Sequence, residues 1–402
     1  NNQRERIGLM KPNIIHSIVA CLAAFTLPFM VACSSQEESL PETAMEATLY
    51  LNIATIGQTR ASTAELPANE KMQSVRIIVL HADGTVEHNR HFPLEGAQAQ
   101  KTILLKVRPN ENKKIFLFAN EESVSTVEVK GVTVEGENQA LTDFFDSYTE
   151  GMSGFEDAVN NLYFEPKYTN ETPIPMSSMY EIDFKEGYEE RTFYVVRVAT
   201  KFTCRFKNFR SGAVTVNSIS VSDIANDSYL MAHKQNQTMQ FTEEDNSISD
   251  LFWIDWLKKV SDESQEYPED KTLADKRGWI MDYDIPGNAV QAPAGPTNLN
   301  MSVPKATDAD VNQEQGTLYI FYLPESKNLI TPTDTYGEQQ YEMTLGLTDE
   351  YGEQKSFNFA FDNLKALFRN TNAVIDIIMY DREVVVDVIP YSEVVLEPEF
   401  GL

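Results

Sequence analysis

The chain has 402 residues, 42% of them hydrophobic and 10% aromatic, which suffices for two or three packed domains and excludes a disordered tail. With 33 basic and 61 acidic side chains the formal charge is −28, which excludes nucleic-acid binding and polybasic membrane-surface roles. The three cysteines, Cys21, Cys33 and Cys204, support neither a disulfide framework nor a Cys-based zinc site.

The first element in chain order reads as an export signal covering residues 1–32. Met10 followed by Lys11 reads as the start of translation, and an apolar stretch runs from Ile14 to Ala32, broken by Pro28. A short basic region, an apolar run and small residues before the cut describe a secretory signal. His16, Ser17 and Pro28, with no stop-transfer pattern following, speak against a membrane span. Met30-Val31-Ala32-Cys33-Ser34-Ser35 resembles a bacterial lipobox, with Met30 where Leu is usual. That resemblance makes Cys33 the acylated residue, residues 33–45 an acidic tether, and the precursor an outer-membrane lipoprotein.

Period two dominates the rest. Ala47, Leu49, Leu51 and Ile53 alternate with Thr48, Tyr50 and Asn52, a half-buried strand. Val75–Leu80, a turn at Asp83-Gly84 and Thr85–His91 form a hairpin, and Ile103–Val107, Lys114–Ala119 and Val124–Val134 continue the pattern. The longest run is Tyr194, Val196, Val198, Thr200, Phe202, Cys204 and Phe206, predicted as one strand with Arg197, Lys201, Arg205 and Lys207 on its solvated face. Further strands are predicted at Val214–Val221, Leu318–Leu323, Tyr341–Leu347, Phe357–Phe361, Val374–Met379 and Val384–Ile389. Helix is minor: Asn246–Val260 is the best amphipathic candidate, and Leu141–Leu162 holds another, interrupted at Gly151 and Gly154. No βαβ rhythm recurs. The pattern predicts an all-β chain of two tandem antiparallel sandwiches, residues 46–189 and 190–382, with a tail at 383–402. Residues 261–304 read as a long surface excursion.

Candidate chemistry is sparse. His88 and His91 lie three apart in a hairpin that points them to opposite faces, and no clustered carboxylate or cysteine completes a ligand set, so no metal site is predicted. Asp308, Asp310, Asn312 and Glu314 mimic the start of a calcium loop, but Gln313 stands where Gly is required and Tyr319 where Glu is. There is no Gly-x-Ser-x-Gly, phosphate-cradling loop or His-Glu-x-x-His. Trp253, Trp256 and Trp279 read as packing, with a sugar-stacking platform as the alternative. The expectation is no enzyme and no cofactor.

Seven segments, in order, resemble the fimbrillins, the type V pilins of Bacteroidales. After the lipobox and tether, one strand is followed by Thr59-Arg60-Ala61-Ser62. Then come Val75-Arg76-Ile77-Ile78-Val79-Leu80 with Asp83-Gly84, and Ile115-Phe116-Leu117-Phe118-Ala119-Asn120-Glu121. Ile174-Pro175-Met176-Ser177, Arg197-Val198-Ala199-Thr200-Lys201, Phe321-Tyr322-Leu323-Pro324-Glu325 and Phe368-Arg369-Asn370-Thr371 complete the set. Ile389-Pro390-Tyr391 departs from it, with Tyr where relatives often carry Trp.

The resemblance implies two transthyretin-like sandwiches and a surface fimbrium built from other subunits, of the same or different kinds, supporting adhesion to a ligand the sequence does not name. It also implies cleavage between Arg60 and Ala61 by an arginine-specific protease, which removes residues 46–60 and the strand carrying Leu49, Leu51 and Ile53. An opened sheet demands a partner strand. The tail offers one, with Val394, Leu396 and Phe400 alternating with Val395, Glu397 and Glu399. The alternatives are a last strand of its own sandwich for the tail, and for the chain a fimbrial tip adhesin or a non-polymerising glycan-binding lipoprotein.

Overall fold

The computed structural model describes residues 47–55, 66–129, 139–232, 238–242, 248–252, 291–306, 316–327, 341–361, 364, 366–367 and 369–392. All of them fall within one compact unit that begins at Met45.

The first half contains β1 (Ala47–Thr55), β2 (Met72–Leu80), β3 (Val86–Gln98), β4 (Gln100–Val107), β5 (Glu111–Ala119), β6 (Glu128–Val129), β7 (Leu162–Phe164), β8 (Met176–Phe184) and β9 (Tyr188–Arg197). Two short helices, α1 (Leu141–Asp146) and α2 (Phe155–Asn160), lie between β6 and β7. The second half continues with β10 (Thr200–Asn208), β11 (Val214–Ala225), β12 (Ser228–Tyr229), β13 (Thr238–Thr242), β14 (Ile248–Phe252), β15 (Gln291–Ala294), β16 (Thr297–Val303) and β17 (Thr317–Leu323). It closes with β18 (Ser326–Lys327), β19 (Tyr341–Thr348), β20 (Gln354–Phe361), β21 (Ala366–Leu367), β22 (Asn372–Met379) and β23 (Val384–Ser392).

In the first sandwich the layer β9-β1-β4 packs on the layer β3-β2-β5-β8, and the two join where β8 meets β9 at Met176 and Arg197. Leu49, Leu51 and Ile53 of β1 meet Val75, Ile77, Val79, Leu117, Phe193 and Val195 in the core between them. The opposite face of β2 and β5 is also covered: Ile78, Leu80, Phe116 and Phe118 pack under Phe144, Phe145 and Phe155 of the two helices. Burial on both faces explains why these two strands read as continuous apolar runs rather than alternating ones.

The second sandwich packs β17-β10-β22-β23 on a sheet built around β11, β19 and β20. Phe202, Cys204 and Phe206 of β10 fill its core against Val216, Ile219, Leu345 and Ile375. The fold is all-β, in two sandwiches, as predicted. Each sandwich also has one parallel pairing where the sequence predicted only antiparallel ones. The first strand of each half sits inside its sheet: β1 is antiparallel to β4 and parallel to β9, and β10 is antiparallel to β17 and parallel to β22.

Several expectations change. The longest predicted strand is two, β9 and β10, broken at Val198-Ala199. β9 pairs with β1 and buries Phe193 and Val195 in the first core while Val196 packs in the second, so the boundary expected between residues 189 and 190 runs through a strand bonded into the first sheet. Arg197 and Lys201, expected on a solvated face, are buried, while Arg205 pairs with Asp376 at the surface. Residues 248–252, expected within a helix, pair antiparallel with β13, so a neighbouring strand outcompetes a short helical pattern. The interrupted helix is α1 and α2, split where Gly151 and Gly154 take φ of +82° and +86°. Of the strand predicted over residues 124–134, Glu128–Val129 is β6, and residues 130–134 lie outside the described residues.

The tail segment 383–402 also begins differently. Val384–Ser392 is β23, paired antiparallel with β22, and Val388 packs in the second core. Only residues 393–402 remain beyond it, and they lie outside the described residues.

The two sandwiches meet through buried charge. Glu70 accepts from the Arg197 guanidinium, lies 2.9 Å from Lys201 Nζ and accepts from the Tyr322 hydroxyl. Arg197 Nε donates to Asn370 Oδ1 at 3.1 Å. Arg369, 1% exposed, pairs with Glu325 and donates at 2.9 Å to the backbone carbonyls of Tyr229 and Leu230. Leu230 and Met231 in turn pack in the helix-covered core of the first half.

Candidate functional site

The site is the slot that β1 fills. β1, the first described strand, lies between β9 and β4 in this layer and makes backbone bonds on both sides. Its register with β4 runs from Ala47 opposite Val107 to Ala54 opposite Gln100, and with β9 from Thr48 beside Tyr188 to Thr55 beside Val195. The ends are fastened as well: Thr48 N donates to Gly187 O and Thr55 N to Ala99 O, both at 2.9 Å.

The inward face is apolar. Leu49, Leu51 and Ile53 are fully buried, and Ala47 is nearly so. At ~1.5–3 kcal/mol for each large apolar side chain fully buried, these three dominate the binding of the strand to its sheet.

The outward face is polar and aromatic. Asn52, 8% exposed, serves both neighbours at once. Its Nδ2 donates to Glu190 Oε1 on β9 at 2.9 Å, and its Oδ1 accepts from Thr102 Oγ1 on β4 at 2.8 Å. Tyr188 OH donates to the other oxygen of Glu190 at 2.8 Å. The Tyr50 ring packs on that of Tyr188 with centroids 4.7 Å apart. The donors from Asn52 and then Tyr188 hold the Glu190 carboxyl below its ordinary range, and Glu190 in turn raises the Tyr188 phenol.

Leu49, Leu51 and Ile53, the residues predicted for the displaced strand, thus lie together in the first core. Cys33, Arg60, Ala61, Val394, Leu396 and Phe400 lie outside the described residues, as do the three tryptophans and residues 308–314. Sequence reasoning missed Asn52, Thr102 and Glu190. Its signal was an amide side chain near the centre of an alternating strand, on the face opposite Leu49, Leu51 and Ile53.

Two carboxylate–histidine clusters invisible in the sequence also form. His81 gathers with Glu87 and Glu111, and His91 with Glu121 and Glu122. Each already holds a cation of the chain: Lys113 Nζ is 2.6 Å from Glu87, and Arg76 Nε is 2.7 Å from Glu121. These are structural ion networks. Glu111 stays below its usual range through Lys113 and then His81, whose bonds outweigh its burial.

No family model and no curated protein matches this sequence. Among solved structures the chain is similar to the tip fimbrial protein Mfa3 from Porphyromonas gingivalis, at TM-score 0.47 and 10% identity over 86% of this chain and 99% of that one. It is similar to a fimbrial assembly protein from Parabacteroides distasonis, at TM-score 0.43 and 11% identity over 86% and 96%. A fimbrilin from Porphyromonas gingivalis gives TM-score 0.41 and 12% identity over 88% and 99%.

Proposed function

We propose that this chain is a structural subunit of a cell-surface fimbrium, made as a lipoprotein precursor and activated by loss of β1. One observation carries the reading: the strand at the start of the fold occupies the middle of its layer, bonded on both sides. It is joined to the following strand through residues 56–71, which include Arg60. A cut there would leave β1 held only by non-covalent contacts, and its loss would open a slot lined by β4, β9 and three empty apolar pockets. Such a slot binds a strand from another subunit head to tail, and a contact of that kind propagates rather than closes. The role is assembly and adhesion, with no catalytic step.

The Arg60→Ala precursor should remain an unpolymerised monomer when treated with an arginine-specific protease and partner subunits, whereas the wild-type chain assembles. Size-exclusion chromatography checks this, and normal polymers from the mutant would refute the role of the cut. Anchoring rests on Cys33: Cys33→Ala should lose acylation by intact mass and partition out of the detergent phase.

A further inference from the structure

Resting on the reading that β1 leaves, we infer that the vacated slot selects its incoming strand by an uncharged amide at the position of Asn52, and so rejects the tail of a second copy of this chain. The occupant is a strand from a different subunit, with apolar residues at the places of Leu49, Leu51 and Ile53 and Asn or Gln between the last two.

Two groups face that position. Glu190 Oε1 on one side accepts and carries negative charge, while Thr102 Oγ1 on the other donates at 2.8 Å. Only a group that donates one way and accepts the other satisfies both, and a side-chain amide does so without charge. A carboxylate would satisfy Thr102 but set like charges face to face across two strands, which opposes pairing. Asn52 is 8% exposed while Glu190 reaches solvent, so the repulsion is partly screened and lowers affinity by a modest factor.

The chain's own tail fails this test in the registers that keep the direction of β1. Entering in the direction of β1 with Val394 and Leu396 at the places of Leu49 and Leu51, it brings Glu397 to the amide position. Moved two residues along, it brings Glu399 there and Pro398 to the place of Leu51. Proline lacks an N–H that a strand paired on both sides needs. Moved two residues the other way, it requires Ser392, which already pairs with Asn372 in β23. A slip of one residue drives Glu397 into the apolar pockets. The tail therefore suits the slot of another subunit, and the filament alternates between unlike partners at this joint.

The test uses the whole precursor nicked after Arg60 by an arginine-specific protease, so that no part of the chain is removed. Three labelled peptides are offered for exchange: residues 47–55, the same peptide with Glu in place of Asn52, and residues 393–402. Native mass spectrometry and fluorescence anisotropy should show the first incorporated, and the other two bound roughly tenfold more weakly or worse. In the Glu190→Gln protein, whose amide can donate to a carboxylate, the Glu-bearing peptide should recover. Equal uptake of all three peptides, or no recovery in Glu190→Gln, would overturn the selectivity while leaving strand release intact. Uptake of none would overturn strand release itself, and the selectivity with it.

Discussion

Asn52 is where a single side chain ties three strands together, and its replacement by Asp gives the sharpest residue-scale prediction. In the wild-type protein the Glu190 carboxyl is held below its ordinary range by donors from Asn52 and Tyr188. A group depressed in the folded state contributes stability above its unfolded pKa and loses it as the pH falls through the folded value. Acidification should therefore loosen β1 in the wild-type chain. In Asn52→Asp two carboxylates oppose each other at neutral pH, and protonating either one relieves the repulsion. The mutant should start with a lower urea midpoint and gain on the wild type as the pH drops below the carboxylate range. A parallel pH dependence of the two midpoints would show that Asn52 and Glu190 are not coupled.

At the scale of elements, β1 is held by ordinary hydrophobic packing as well as by its register lock. Leu51→Ala in the intact precursor should cost ~2–5 kcal/mol in urea unfolding, the usual range for a buried leucine. The tail behaves oppositely if it is donated: Leu396→Asp should leave the monomer's melting temperature unchanged but abolish its capture by a partner's slot, since a carboxylate in an apolar pocket is costly. A mutant that unfolds as a monomer would place the tail in its own sandwich.

Most strands were legible because one face was wet and the other dry. The run through Tyr194 to Phe206 misled because Tyr194 and Val196 of β9 pack in the same second core as Phe202, Cys204 and Phe206 of β10, while Phe193 and Val195 of β9 fill the first, and periodicity carries no mark of the break at Val198-Ala199. The position of β1 was illegible for a related reason. Alternation reports burial of one face, but not whether a strand has one neighbour or two. Asn52 alone hinted at it, and its two partners lie 50 and 138 residues away.

On the scale of the molecule, several of the segments that carry the resemblance meet near the junction between the sandwiches. Asn120 Nδ2 donates to Ile174 O at 2.8 Å, Arg197 meets Glu70 and Asn370, and Arg369 reaches Glu325 and the Tyr229–Met231 backbone. Buried charge requires complete partners, which ties several distant segments together at once. They build the frame rather than a reactive centre. Arg369→Met leaves Glu325 uncompensated in a buried site and should destabilise the whole chain by ~3–5 kcal/mol, lowering a single cooperative transition. Two separated transitions in calorimetry would show that the sandwiches unfold independently of this contact. β9 links frame and slot: its first residues flank β1, and its last, Arg197, sits in the junction.

Replaceability of β1 is read most directly by amide hydrogen exchange on the precursor before and after the cut at Arg60, with the released strand washed away and the peptide of residues 47–55 then added. The expected result is loss of protection confined to residues 100–107 and 188–195, which bond β1 in the closed form, and its return with the peptide. Unchanged protection after the strand has gone, or loss of protection throughout the first sandwich, would contradict a slot built to exchange one strand for another.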